Sequence, residues 1–325
     1  MPTVQRLPFE AYVVGAAFLG DAAAFALGDG SIRLLRGAAV EEVAAHDGAV
    51  LAATQTLDGK RLITGGDDGA LILTAADGST ERIAERPRKW IDQVAAGPGE
   101  AIGFSVGREA VVRLADGTEK AFSHERTVTG LAFAPKGMRI AASRNGGVSL
   151  WFVSSDAPPA ELEWTGPHIA VTFSPDNRFV VTAMQENALH GWKIQGGGHL
   201  RMTGYPAKPR SFSWSPKGRY LATSGADAAI LWPFYPKDGP QGTQPLQLGA
   251  REALVSKVCC HPKDEVVAIG YRDGAVAIGP FDEGEGQLLR PPGEGPVSAL
   301  SWDAPGRRLA YGTEEGAAGV IDFDG

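Results

Sequence analysis

The chain repeats itself, and this limits its fold more than any other feature. An apolar run, a turn carrying Pro, Gly or Asp, a second apolar run, an acid or amide and a third apolar run recur in that order. The clearest copies are VTGLAFAPKGMRIAASRNGGVSLW (128–151), IAVTFSPDNRFVVTAMQENALHGW (169–192) and RSFSWSPKGRYLATSGADAAILW (210–232). Five fainter copies share the plan, and DQVAAGPGEAIGFSVGREAVVRL (92–114) is the weakest. The acid or amide before the third run falls at Asp29, Asp68, Glu109, Asn145, Glu186, Asp227, Asp273 and Glu315, at intervals of 36–46 residues. Such a period, with several short strands per unit, indicates propeller blades. Helical repeats of similar length need amphipathic runs of ten or more residues, and none is visible. The expectation is an all-β, single eight-bladed β-propeller, with seven blades as the alternative if repeat three is an irregular insertion.

Three strands per unit are explicit, and a more polar fourth lies between units: 40–45, 80–84, 118–122, 160–164, 199–203, 245–249 and 287–291. The last unit reaches Gly325 without a fourth strand of its own, while TVQRL (3–7) precedes the first unit unused. Closure of the ring by that N-terminal strand would complete the last blade and remove an open sheet edge. Residues 1–325 are therefore expected to form one domain, because each blade needs both neighbours to bury its faces.

Composition agrees. Hydrophobic residues make up 43% and charged residues 21%, enough apolar material for a packed core. No run approaches the ~18 apolar residues of a membrane span. Pro2, Pro8 and Glu10 interrupt the stretch that a secretory signal would need. Only two cysteines occur, adjacent at Cys259 and Cys260, so disulfides cannot staple the fold and a cytoplasmic protein is expected. The net charge of -7 argues against the phosphate contacts of a nucleic-acid binder.

In its motifs the chain resembles the WD40-repeat proteins over essentially its whole length. His46 to Val50 and His124 to Val128 match that family's His-to-Val spacing. Its turn is seen at Pro135-Lys136-Gly137, Pro175-Asp176-Asn177 and Pro216-Lys217-Gly218. Its closing Trp is seen at Trp151, Trp192 and Trp232, and its strand-two Thr at Thr64, Thr182 and Thr223. No unit carries His, Ser/Thr, Asp and Trp together, so the family's buried hydrogen-bond tetrad is incomplete throughout. The resemblance implies a four-stranded-blade propeller that binds partners. It is nearly silent on which partner, because this fold hosts many roles.

The residues that could carry chemistry mostly have structural readings. The ring of acids and amides is expected to form tight turns, in which Asp and Asn bond nearby N–H groups. Cys259-Cys260-His261 is the only local cluster of soft ligands. Neighbouring strand residues point to opposite faces, so core packing is expected and no metal or other cofactor. There is no Gly-x-Ser-x-Gly elbow and no phosphate-cradling Lys-Ser/Thr. A channel-centred, metal-dependent hydrolase or lactonase is the enzymatic alternative. Only Asp92 is acidic among the residues that begin the inner strands, however, and a hard cation wants about six oxygens. A non-enzymatic, monomeric scaffold is therefore the expected function.

Tryptophan accounting points to a binding face. Every Trp has a repeat role except Trp90, which lies in Arg86-Pro87-Arg88-Lys89-Trp90, the connection into repeat three. By the WD40 resemblance that connection shares a face with the turns between second and third strands. Arg108, Arg126, Arg144, Lys208, Arg210, Arg251 and Arg272 would lie on the same face, beside the acids Asp67, Glu125, Glu252 and Glu314. Trp and Arg are enriched at interface hot spots. The expected partner-binding set is Arg86, Arg88, Lys89, Trp90, Arg108, Arg126, Arg144, Arg210 and Arg272. It would select an acidic protein or peptide by charge complementarity.

Overall fold

Short runs of β-branched and aromatic residues between Gly, Pro and Asp turns form strands throughout. The computed structural model describes residues 2–282 and 284–324. Among these it has thirty strands and one short 3-10 turn, Pro98–Glu100. The first repeat sets the pattern: Val13–Leu19, Ala22–Leu27, Ser31–Arg36 and Ala39–Ala44 form one antiparallel sheet in chain order. The second and third strands are buried, whereas the fourth is exposed at alternate positions.

Eight separate sheets are not what the hydrogen bonds form. There are seven, the alternative count: six of four strands and one of six. The weak repeat three is not the cause, since Val94–Ala96, Ile102–Val106, Glu109–Arg113 and Glu119–Ser123 make an ordinary four-stranded sheet. Repeats four and five merge instead, through the long segments Arg139–Phe152 and Ala160–Phe173. The reason is the connector between them. Thr165-Gly166-Pro167 is too short to interrupt the strand, so Ala160–Phe173 pairs with Arg139–Phe152 through its first half and with Phe179–Met184 through its second. Arg139–Phe152 also doubles back. The Val153 N–H donates to the Met138 carbonyl at 2.8 Å, although a straight strand of that length would hold its ends about 45 Å apart. The fold falls at Gly146 and Gly147, whose φ values of 94° and 138° suit glycine. Eight repeats are thus carried on seven sheets.

Buried apolar clusters lie between consecutive repeats, and one joins the last repeat to the first. Fully burying a Leu, Ile, Val or Phe contributes roughly 1.5–3 kcal/mol, so these interfaces carry most of the stability. Hydroxyls add stitches along the inner strands. Ser256 Oγ donates to the Val297 carbonyl at 2.6 Å, and Ser298 Oγ donates to the Val13 carbonyl at 2.6 Å across the closure. Thr129 Oγ1 donates likewise to the His168 carbonyl.

Closure follows the expected route. Thr3–Pro8 lies antiparallel to Ala317–Asp322, from Thr3 opposite Asp322 to Pro8 opposite Ala317. Leu7 is buried, and Phe9 meets Phe25 of the first repeat with ring centroids 5.6 Å apart.

Cys260 is buried and Cys259 half-buried, as residues on opposite faces of one strand should be. Burial pushes their thiols up to about 11 for Cys259 and about 12 for Cys260. Thiolate is the reactive form, so iodoacetamide at pH 8 should leave both unmodified until the protein unfolds. Rapid labelling of the native protein, followed by mass spectrometry, would contradict this.

Candidate partner-binding face

Connectors into new repeats bond to the preceding repeat's turn between second and third strands. The His46 N–H donates to Gly30 O at 3.0 Å, Arg86 to Gly69 O at 2.8 Å, His124 to Arg108 O at 2.9 Å and Arg251 to Asp227 O at 2.9 Å. Connectors and turns therefore share one face of the ring.

Trp90 stands on this face because of its neighbour. Ile91 is wholly buried, and its N–H is held by Gly66 O at 3.0 Å. Trp90 is turned outward and is 66% exposed. Arg88 and Lys89 are exposed beside it, Arg88 at a φ of 62°.

Two arginines of the expected set are occupied internally. Arg86 pairs with Glu119, and its guanidinium lies 5.3 Å from the Phe104 ring centroid. Arg144 pairs with Glu161 at 2.5 Å and reaches Ser149 Oγ at 3.3 Å. Both acids belong to fourth strands, whose positions relative to the connectors are invisible in the sequence. Arg108 and Arg126 remain exposed, with no ion pair among the described residues.

Arg210 and Arg272 converge elsewhere on the same face. With Lys208 and Lys257 they line a cleft of about 680 Å³ around the starts of the inner strands. Tyr12, Ser256 and Ser298 share the lining, and Glu314 is its only carboxylate among the described residues. None of the four cations has an ion-pair partner among the described residues. Burial pushes the Lys257 ammonium below its usual range, against the opposing influence of Cys259 and Glu314. Burial and Glu314 push the Tyr12 phenol up, opposed by Arg210. Trp90, Arg88 and Lys89 do not line this cleft.

Lys257 and Tyr12 were not singled out from the sequence. The available signal was the lone cation in VSKVCC, a run otherwise built for the core.

The turn acids behave structurally where their bonds are seen. Asp29 accepts the Ser31 N–H at 2.9 Å, Asp68 the Ala70 N–H at 2.9 Å and Asp273 the Ala275 N–H at 3.0 Å. Burial would raise the Asp68 carboxyl, yet the Ala70 N–H and His46 hold it below the usual range. His46 Nε2 also bonds Thr64 Oγ1 at 2.8 Å, so repeat two holds three members of a tetrad, with Thr74 near the Trp position. Repeat six places a tyrosine where the family motif has histidine: Tyr205 OH bonds Thr223 Oγ1 at 2.6 Å and accepts Trp232 Nε1–H at 2.6 Å.

His261 uses both ring nitrogens locally. Nε2 donates to Gly306 O at 2.8 Å, and Nδ1 accepts the Asp264 N–H at 2.8 Å. Asp92 accepts the Ser105 hydroxyl at 2.6 Å. Among the described residues no group of three or more His, Cys, Asp or Glu could hold a metal ion.

Known proteins share this architecture. The family described as WD domain, G-beta repeat, matches residues 118–151. WD repeat-containing protein 55 of Bos taurus is 25% identical over 225 residues, covering 67% of this chain and 57% of that protein. The chain thus spans just over half the length of that relative. Telomerase protein component 1 of Rattus norvegicus is 25% identical over 270 residues, which is 77% of this chain and 10% of that protein. The C-terminal WD40 domain of Sif2 superposes with a TM-score of 0.79 at 15% identity, over 99% of both chains. The computationally designed Ika8 protein superposes with a TM-score of 0.79 at 17% identity, over 97% of both chains.

Proposed function

We propose that this β-propeller, similar to WD40-repeat proteins, works as a non-catalytic scaffold that docks an acidic segment of a protein partner on its connector face. The observation that carries this reading is the cleft at the inner-strand starts, where Lys208, Arg210, Lys257 and Arg272 meet a single carboxylate, Glu314. Cations without internal partners retain their capacity for charge-assisted hydrogen bonds, and arginine can meet a carboxylate with two N–H groups at once. Exposed Trp90, with Arg88 and Lys89, supplies a second contact of the kind that anchors interfaces.

The test uses octaglutamate as probe. Arg210→Ala/Arg272→Ala should weaken its binding by about tenfold or more and flatten the dependence on salt. Unchanged affinity would overturn the acidic-partner reading. Trp90→Ala should melt with the parent protein, since the ring is mostly in solvent, and should cost about 2 kcal/mol in binding a natural partner. A variant that loses stability yet binds that partner normally would make Trp90 a packing residue.

A further inference from the structure

The last residue of most inner strands crosses to the preceding repeat. Phe133 packs on repeat three so closely that a Cβ on Gly97 would meet its ring at 2.7 Å and one on Gly103 at 3.1 Å. Trp214 Nε1 donates to Thr172 Oγ1 at 3.0 Å, and Trp302 Nε1 to the Cys259 carbonyl at 3.1 Å. Smaller residues cross as well: Gln55 Nε2 donates to the Phe18 carbonyl, and the Cys260 thiol reaches Ser213 O at 3.5 Å. In repeat three this residue is Ala96, which ends the strand Val94–Ala96. A methyl group cannot span the gap to repeat two.

The space left is a cleft of about 470 Å³ between the sheets of repeats two and three. Its apolar lining includes Ile63, Leu73, Ile83, Ala96, Ala101 and Ile102. It opens beside Thr56–Asp58, the turn from first to second strand, and so on the face opposite the connectors. Leu57 stands at its lip, 71% exposed. The charges around it are mostly satisfied. Arg61 lies 3.5 Å from Glu81, Arg113 lies 3.6 Å from Glu119, and Asp58 lies 3.5 Å from Lys60. Glu100 is exposed at the rim and has no ion-pair partner among the described residues.

We propose that this cleft receives an aromatic side chain of a partner polypeptide, with a Lys or Arg beside it facing Glu100. The ring takes the place that Phe133, Trp214 and Trp302 fill at other interfaces, and the cleft of about 470 Å³ leaves room beside it for the adjoining peptide backbone. Glu100 supplies the charge complementarity that sets the neighbouring residue. The proposal does not rest on the acidic-partner reading, since the two surfaces lie on opposite faces.

The experiment follows methyl signals of Ile63, Leu73, Ile83 and Ile102 by NMR while the capped tripeptide acetyl-Lys-Trp-Gly-amide is added. Shifts should be confined to these methyls. Affinity should exceed that for acetyl-Glu-Trp-Gly-amide by about tenfold, and Glu100→Gln should erase most of that preference. Ala96→Phe should raise the melting temperature and abolish binding, because the chain then fills its own cleft. Should that variant fail to fold, Ile83→Glu provides the second route and should also abolish binding. Methyls unmoved at millimolar peptide, or binding retained in a folded Ala96→Phe or Ile83→Glu protein, would overturn the proposal. Free tryptamine should bind about tenfold more weakly than the peptide, since it lacks a backbone to lie across the rim. Equal affinities would overturn the polypeptide source.

Discussion

A chain shortened to begin near Tyr12 is expected to melt well below the full chain and to aggregate on standing. The deletion removes the six-residue ladder between Thr3–Pro8 and Ala317–Asp322. It also removes buried Leu7 and the half-buried Phe9 that packs on Phe25. The apolar part of that loss is on the order of 4 kcal/mol at ordinary burial energies. The newly bare edge offers unpaired N–H and C=O groups to other chains. Leu7→Asp, which keeps the strand but puts a charge in its buried site, should show part of the same loss. Coincident melting curves for the full and shortened chains would show that closure contributes nothing.

Acid should destabilise the protein well above the pH at which carboxylates titrate. His190 is completely buried, and neither ring nitrogen has a hydrogen-bond partner. Its ring stacks on Trp164 at 4.1 Å and on His199 at 5.1 Å. Burial, with the nearby charges of His199, His168 and Arg201, pushes its pKa down to about 3. Burial also lowers His124 and His168. The folded state therefore keeps His190 neutral, while the unfolded chain protonates it near the ordinary value of about 6.5. Stability from this group is intact above that pH and falls as pH drops towards 3. By pH 5 the loss is about 2 kcal/mol from His190 alone, at 1.36 kcal/mol per pH unit. The lowered carboxyls, such as Asp176 and Asp303, add their own loss only below about pH 4. Melting temperatures measured between pH 7 and pH 5 should fall for the parent protein and fall clearly less for His190→Phe, which keeps only the contributions of His124 and His168. An equal slope for both would remove His190 from the account.

The strand pattern was legible because one turn-and-strand phrase recurs, and each copy states where its hydrogen bonds must go. Closure by TVQRL was legible for the same reason, since the last unit lacked an outer strand. The number of sheets was not. It depends on whether three residues, Thr165 to Pro167, can break a ladder, and periodicity carries no information about that. Trp90 was found by having no role in the repeat, and its exposure agrees with that reasoning. The ion pairs of Arg86 and Arg144 were not legible, because their partners Glu119 and Glu161 sit on outer strands that the repeat pattern does not place beside the connectors. Lys257 was hidden by the apolar run around it, as Tyr205 was by a motif that asks for histidine.

The closing ladder also determines how the ring would yield to force. Thr3 faces Asp322, so the outer ends of the two strands lie side by side. Antiparallel hydrogen bonds run across the strands, perpendicular to their length. Tension applied between residues 3 and 322 therefore loads the bonds one pair at a time, from Thr3 towards Pro8, instead of shearing all six together. The ring would peel open at low force from its seam, and the remaining sheets would feel the load only after the seam had parted.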